Sequence, residues 1–234
     1  MSVAANPGRA SSVILLRETQ PRGFEVLLRR CPGGMHGFPC GAVYKSDYAP
    51  DVLRRCRGLS GETARKILGA HLAPPEALGY WIAAIRTLFE EAGVLFAVKG
   101  KNQPITLDAD RDVGLLEKRA ALRAGSLSFQ CFLESENLFC DAAQLAYFSH
   151  WQTPAESSRS FDMRFFLAAM PDDQTPLAAA AEVDHSLWLA PDLALQLFNR
   201  GELPTTFPTF ASLRTLADFD DVKSLLKEFQ PEFT

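Results

Sequence analysis

The stretch Ile85–Leu95, which reads I-R-T-L-F-E-E-A-G-V-L, decides how the rest of the chain is interpreted. Apolar side chains recur in it and just before it at the spacing of one helix face, which predicts an amphipathic helix. Gly93 predicts the end of this helix, because glycine adopts the left-handed backbone conformation without a steric cost. Glu90 and Glu91 then occupy the last turn, where the helix dipole disfavours each anion by roughly 0.3–1 kcal/mol.

Two adjacent carboxylates at a helix C-terminus need a source of positive charge. Arg86 precedes Glu90 by four residues and can pair with it, although arginine before glutamate is the weaker order. A hard divalent cation also binds carboxylate oxygens and offsets their repulsion. The residues alone leave both a solvated acidic helix end and a metal site open, and a bare Glu-Glu pair favours the former.

The wider pattern resembles the second half of the Nudix hydrolase box, R-E-U-x-E-E-x-G-U, where U is a bulky aliphatic residue. The matching positions are Arg86, Leu88, Glu90, Glu91, Gly93 and Val94. Thr87 stands where the family has its first glutamate. The box begins with a glycine and an acid at the spacing of Gly41 and Asp47. Residues 48–85 then intervene, where most of the family has a short spacer.

One branch of that family, the acyl-coenzyme A diphosphatase-like branch, carries a long insertion at this point and is similar to this chain further on. Its motifs W-x-T-P, R-R-F-D-T-R-F-F-x-A, E and W-x-x-P correspond to residues 151–154, 159–168, Glu182 and residues 188–191. The departures are Cys40 for glycine, Ser160 for arginine and Met163 for threonine. The matches run from residue 12 to about residue 216, nearly the whole chain.

The resemblance implies a Nudix α/β/α sandwich with a mixed central sheet. Residues 10–218 are the expected Nudix domain, residues 48–79 a helical insertion, and residues 219–234 a C-terminal helix and tail. The implied reaction is hydrolysis of a diphosphate linkage in a nucleoside diphosphate derivative, foremost coenzyme A or an acyl-coenzyme A, with Mg²⁺ or Mn²⁺ as cofactor. The insertion is either a specificity element at the substrate mouth or a packing element.

The resemblance also assigns roles to individual residues. It implies Glu90 and Glu91 as metal ligands, Arg86 as the cation that orients them, and Gly41 as a turn whose backbone approaches the ligand. Phe38 is the first residue of that turn, and it is expected with Gly41 to contact the substrate.

Three further residues have two interpretations each. Arg29 and Arg30 follow an apolar strand and can bind phosphate oxygens, although a solvated strand end explains them slightly better. Glu182 is either a salt-bridged strand residue, the modestly favoured interpretation, or a third carboxylate that acts as metal ligand or general base.

Thr87 raises the main question about activity, because threonine at neutral pH is neither charged nor a useful base. Three outcomes follow from it. Glu182, Glu134 or Glu136 supplies the missing carboxylate, or the site works slowly with two carboxylates and water, which Mg²⁺ tolerates. In the third outcome the domain is a catalytically silent binder of a nucleotide-type ligand.

Composition and charge exclude several other classes of protein. With 234 residues, 47% hydrophobic and 22% charged, the chain fits one large domain or a domain with an appendage. The net charge of −4 provides no basic footprint for nucleic acid. Five cysteines without C-x-x-C spacing predict reduced thiols. No apolar run has signal or membrane length, so we expect a cytoplasmic protein without membrane contact, monomeric or homodimeric.

Local patterns predict the remaining elements. Apolar runs at residues 11–16 and 24–28 predict a β-hairpin. A helix is expected near residues 113–124, with Arg119 on its solvated face, and a strand at residues 161–169. Asp162 and Arg164 share one face of that strand and are expected to form a structural ion pair.

Overall fold

The computed structural model describes residues 8–31, 33–100, 102–107, 112–153, 161–177 and 186–230. Its strands are β1 (Gly8–Glu18), β2 (Phe24–Arg30), β3 (His36–Gly37), β4 (Cys40–Ala42), β5 (Cys56–Arg57), β6 (Ala97–Lys99), β7 (Gln103–Pro104), β8 (Leu138–Asp141), β9 (Ala146–Gln152), β10 (Phe161–Ala169) and β11 (Ser186–Leu189). Its α-helices are α1 (Pro50–Leu53), α2 (Gly61–Leu68), α3 (Pro74–Ala92), α4 (Val113–Arg123), α5 (Phe129–Ser135), α6 (Pro191–Asn199), α7 (Phe207–Leu216) and α8 (Val222–Phe229). Among these helices, none is long and apolar enough to cross a membrane.

Strand β1 lies at the centre of the main sheet. The strand order is β11-β2-β1-β10-β9, with β3 added to β2 and β4 added to β1. β1 runs parallel to β10 from Gly8 to Leu16 and antiparallel to β2 beyond that point. The predicted hairpin and the mixed character of the sheet are therefore confirmed.

Alternation along β1 builds a core on each face of this sheet. Val13 and Leu15 are fully buried in the cluster that includes α3, whereas Ile14 and Leu16 are fully buried in the cluster that includes α6, α7 and α8. Successive side chains of a strand point to opposite faces, so helices cover the sheet on both sides. This arrangement is the α/β/α sandwich that the resemblance implied.

The insertion, residues 48–79, belongs to the same core. Val52, Ala64 and Leu68 are buried in the cluster around α3. Ser60 begins α2 as its N-cap, because its hydroxyl accepts a hydrogen bond of 3.0 Å from the Thr63 amide. β5 also extends a second sheet, of order β5-β8-β6-β7.

Candidate active site

Helix α3 ends as the sequence predicted, and the reason is visible at Gly93. This residue caps the helix in the left-handed conformation, with φ 69° and ψ 20°. A Cβ atom there would overlap the carbonyl group of Leu177, whose amide donates a 3.0 Å hydrogen bond to the Gly93 carbonyl. Glycine is therefore required both by the backbone conformation and by the close approach of a neighbouring segment.

Arg86 ties the last turns of α3 to the base of the insertion. Its Nε and Nη2 donate to the two carboxylate oxygens of Asp47 at 2.8 and 2.9 Å. Its Nη1 donates to Glu90 Oε2 at 2.9 Å, and Nη2 also reaches the Ala42 carbonyl. Burial alone would lower the pKa of Arg86, but the hydrogen bond and charge of Asp47, together with Glu90, raise it. The two halves of the interrupted box thus meet in one buried ion pair.

The neighbouring carboxylates of Glu90 and Glu91 have different surroundings. Burial raises the pKa of Glu90; Arg86 partly opposes this shift, while the charges of Asp47 and Glu91 add to it. The Glu90 side chain is 18% exposed, against 37% for Glu91. Glu91 lies 3.7 Å from Arg29 Nε, a looser contact than the one that holds Glu90. Of the two, Glu91 therefore presents the more accessible carboxylate.

Arg29 reaches the end of α3 from strand β2. It is buried, and its Nη1 donates to the main-chain carbonyl of Glu91 and to Ser186 Oγ. Burial lowers the pKa of Arg29, and the charge of Glu91 opposes that shift. Arg30, the next residue, points to the other face of the strand and is exposed. The structure thus brings one of the two predicted arginines to the helix end.

The turn at residues 38–41 packs directly on α3. A Cβ atom at Gly41 would lie 2.5 Å from Thr87 Oγ1, closer than real side chains approach, so glycine permits this contact. Thr87 is 1% exposed, and within the described part of the chain its Oγ1 has no hydrogen-bond partner. Cys40 does not adopt a positive φ, which is why a cysteine fits there.

Arg119 belongs to this site, although the sequence predicted it on a solvated face. It is 2% exposed. Its Nε donates to the Phe89 carbonyl and its Nη2 to the Glu90 carbonyl, both at 2.8 Å. Burial, together with repulsion from nearby arginines, lowers the pKa of Arg119 to about 10. The side chain from α4 thereby supplies donors to the carbonyl end of α3.

A signal for Arg119 was present in the sequence. It lies four residues after Leu115 and three residues before Leu122, and both leucines pack in the core around α3. That spacing places Arg119 on the apolar stripe of α4 rather than opposite it. An arginine on such a stripe is expected to be buried with partners.

The structure does not bring two of the candidate carboxylates to the site. Glu134 accepts a hydrogen bond from Gln130 within α5, and Glu136 pairs with Lys118 and lines a separate cleft. The third candidate, Glu182, lies outside the described residues. Leu177 and Ser186, the described residues on either side of it, contact Gly93 and Arg29 respectively.

Glu90 and Glu91 are thus the two carboxylates that the described residues place at the end of α3. Throughout the described ranges, no group of three or more histidine, cysteine, aspartate or glutamate side chains is arranged to hold a metal ion. All five cysteines are free. The expected structural pair elsewhere is confirmed, since Arg164 and Asp162 form an ion pair on β10.

An apolar cavity of about 610 Å³ opens beside the turn at residues 38–41. Its walls come from that turn, from the ends of β9 and β10, and from the start of α7. Four aromatic side chains line it, namely Phe38, Trp151, Phe165 and Phe207. Cys31 and Cys40 also line it; burial raises the pKa of both thiols, that of Cys40 to about 11, and the charge of Glu91 adds to both shifts. The cavity therefore lies beside the turn that packs against Thr87 on α3.

The lining of this cavity bears on the role of the insertion. None of the described residues that line it comes from residues 48–79. Since the insertion instead contributes core side chains and a strand, its contacts support the packing interpretation rather than the substrate-mouth interpretation.

Comparisons with known proteins find similar sequences. The sequence profile of the NUDT19 Nudix domain matches residues 13–216. The acyl-coenzyme A diphosphatase NUDT19 of Homo sapiens is 29% identical over 160 residues, which cover 65% of this chain and 43% of that protein. The protein of the same name from Gallus gallus is 27% identical over 231 residues, covering 82% of this chain and 59% of the relative. The chain spans about half the length of these curated relatives.

A solved structure shows the same fold. The crystal structure of a Nudix hydrolase from Alicyclobacillus acidocaldarius superposes with a TM-score of 0.71, at 24% sequence identity. The likeness covers 96% of this chain and 97% of that one, so it includes both faces of the sandwich and the insertion.

Proposed function

The chain belongs to the NUDT19 Nudix domain family, and we propose that it hydrolyses the diphosphate linkage of coenzyme A or an acyl-coenzyme A with the help of a divalent cation. One observation carries this proposal. Glu90 and Glu91 end α3 beside the Gly41 turn, on a helix end held by the buried Arg86–Asp47 pair. The names of the matched relatives, acyl-coenzyme A diphosphatases, supply the substrate class.

The residues at the helix end fit Mg²⁺ or Mn²⁺. Two carboxylates that are adjacent in sequence lie there, and burial together with neighbouring negative charge raises the pKa of Glu90, a penalty that a cation would relieve. Mg²⁺ accepts one or two carboxylates and keeps several waters, so this small donor set suffices. Glu90 and Glu91 would hold the ion, which when bound neutralises diphosphate oxygens and lowers the pKa of a water molecule.

The chain's own residues would position the substrate and the carboxylates. Arg86 fixes the orientation of Glu90, because its other nitrogens are committed to Asp47 and Ala42. Arg29 places a positive charge beside Glu91, where it would attract the diphosphate group. The Gly41 turn packs against Thr87 on α3, and its main chain would lie beside the substrate.

Glu182 is our candidate for the general base that Thr87 does not provide. The described residues on either side of it support this role: Leu177 contacts Gly93 at the helix end, and Ser186 contacts Arg29, which donates to the Glu91 carbonyl. Glu182→Gln should lower kcat by roughly 10²-fold while leaving substrate affinity near the wild-type value. An unchanged kcat would remove Glu182 from the reaction.

The experiment that tests the proposal is a turnover screen with and without Mg²⁺. Coenzyme A, acetyl-coenzyme A, NADH, ADP-ribose, nucleotide sugars and diadenosine polyphosphates are the substrates. We expect Mg²⁺-dependent hydrolysis of the coenzyme A compounds, and we expect Glu91→Gln to reduce it by at least about 10³-fold, since removing a ligand removes the cation's field. Glu62→Gln, an exposed change on α2, is the matched control.

A second function is favoured by the neutral, buried Thr87 in place of a glutamate. In that case the domain binds a nucleotide-type ligand without cleaving it. Calorimetry would then detect coenzyme A binding while the screen shows no Mg²⁺-dependent turnover. Robust turnover that survives Glu91→Gln would contradict both functions, because the carboxylates would have no part in them.

A further inference from the structure

The apolar cavity beside the turn at residues 38–41 has no role in diphosphate cleavage, and we propose that it holds the acyl chain of an acyl-thioester substrate. This inference rests on the proposed function and deepens it, since it assigns the part of the substrate that lies furthest from the reacting phosphorus. It also gives the cavity one occupant, a straight hydrocarbon chain.

Three hydroxyl groups of the cavity wall are already hydrogen-bonded to protein. Ser12 Oγ donates to the Pro39 carbonyl at 3.1 Å, and the hydroxyls of Thr206 and Thr209 are hydrogen-bonded to each other at 3.0 Å. Gln152 and Thr153, the other polar residues of the lining, lie at the end of β9. An adenine ring needs donors and acceptors for its edge, and the wall commits three of its hydroxyls elsewhere. A hydrocarbon needs none.

The aromatic side chains are also arranged for a chain rather than a base. Trp151 and Phe207 meet edge to face with an interplanar angle of 84°, as do Phe38 and Phe165. Neither pair forms the parallel slot in which a flat base stacks. Phe207 is 69% exposed, a large apolar side chain left in water at the cavity edge, where it would become covered once a chain enters.

The cavity lies next to the candidate active site along the chain and in space. Phe38 and Cys40 line it, and the next residue, Gly41, touches Thr87 on α3. A substrate whose diphosphate group lies at Glu91 would pass this turn to reach the cavity, and its pantetheine arm would span the distance between the diphosphate group and the acyl chain. The volume of about 610 Å³ lies within the range of ligand-binding cavities.

The assignment predicts that affinity depends on chain length. Each methylene group that leaves water for the cavity should tighten binding roughly threefold to fourfold until the cavity is filled. Wild-type protein in the presence of a metal chelator should therefore bind dodecanoyl-coenzyme A at least ~10²-fold more tightly than coenzyme A by calorimetry. Binding without metal separates this measurement from turnover.

Met163, which lines the cavity from β10, gives the decisive variant. Met163→Trp should fill part of the space and reduce the affinity ratio between dodecanoyl-coenzyme A and coenzyme A by at least ~10-fold. Leu187→Trp, at an exposed position on β11, is the control and should keep the wild-type ratio. Met163→Ala enlarges the cavity and should shift the preference towards longer acyl chains. This variant tests the assignment if Met163→Trp does not fold.

The outcomes separate the two proposals. Equal affinity of the wild type for both compounds, or a Met163→Trp variant that weakens both by the same factor, overturns the acyl assignment and indicates the nucleotide end in the cavity. Selective binding of the long-chain compound without turnover of either compound overturns the proposed hydrolysis but supports the cavity's occupant. Turnover of coenzyme A without any effect of acyl-chain length on affinity supports the proposed hydrolysis but overturns the assignment of the cavity.

Discussion

Two of the buried arginines at the last turn of α3, Arg86 and Arg119, hold it by different means. Arg86 acts through side chains, with a two-pronged contact to Asp47 and a third bond to Glu90. Arg119 acts on the main chain, with bonds to the carbonyls of Phe89 and Glu90. The pKa of Arg86 is raised by its carboxylate partners, whereas burial lowers the pKa of Arg119 to about 10.

The difference teaches what each arginine contributes. A guanidinium between carboxylates has its charge compensated, so its removal leaves buried negative charge behind. A guanidinium on carbonyl dipoles keeps an unfavourable desolvation cost, which its hydrogen bonds only partly offset. We infer that Arg86 chiefly stabilises the fold, while Arg119 chiefly positions the turn that carries Glu90 and Glu91.

The largest expected effect comes from Arg86→Met. It leaves the Asp47 carboxylate buried with the Tyr44 amide as its remaining described donor, so the free energy of unfolding should fall by about 3 kcal/mol. Urea denaturation followed by circular dichroism measures this. Arg54→Met removes an exposed arginine that pairs with Asp51 and should cost less than about 1 kcal/mol. Equal losses in the two variants would contradict the comparison.

A smaller loss of stability is expected from Arg119→Met, about 1 kcal/mol, because the relief of buried charge offsets the lost hydrogen bonds. The Phe89 carbonyl keeps its bond from the Gly93 amide. If the proposed function holds, kcat should nevertheless fall roughly 10-fold, since the carboxylates sit on a looser turn.

Lys118→Met is the matched control for Arg119→Met, as the preceding residue of α4 pairs with Glu136 away from the site. It should leave kcat near the wild-type value. If Arg119→Met lowered the free energy of unfolding as much as Arg86→Met does, it would contradict the inference that Arg119 chiefly positions the turn.

Thr87→Val extends the comparison to a third buried polar side chain. Thr87 lies on α3 next to Arg86, and its hydroxyl has no partner among the described residues. Its Oγ1 is buried and unbonded, so replacing the hydroxyl by a methyl group should raise the free energy of unfolding by about 1 kcal/mol. Thr209→Val, which breaks the hydroxyl pair with Thr206, should instead lower it by a similar amount. Destabilisation by Thr87→Val would mean that the hydroxyl has a partner.

The sequence predicted α3 and its end because the information is local. Apolar spacing, the proline at its start, and Gly93 all lie within one helix, and so do Arg86 and Glu90. Asp47 is distant along the chain, and only its place in the family pattern connected it with Arg86.

Arg119 and the cavity were not predicted, for different reasons. Arg119 carries a charge that normally indicates solvent, and its burial depends on how α4 packs against α3. The cavity is lined by residues 12, 31, 37, 38, 40, 151–153, 163, 165 and 206–209, which the fold brings together from distant parts of the chain. No single window of sequence contains that juxtaposition.

The parallel pairing of β1 with β10 has a consequence for how the protein is made. Gly8 lies beside Phe161 and Leu16 beside Ala169, so one edge of the first strand has no partner until most of the chain has left the ribosome. A nascent chain is therefore expected to expose an apolar strand edge throughout that interval, which favours association with chaperones or with other chains. Ribosome-bound chains that stop at residue 152 should be captured by such factors far more than chains that extend through residue 230.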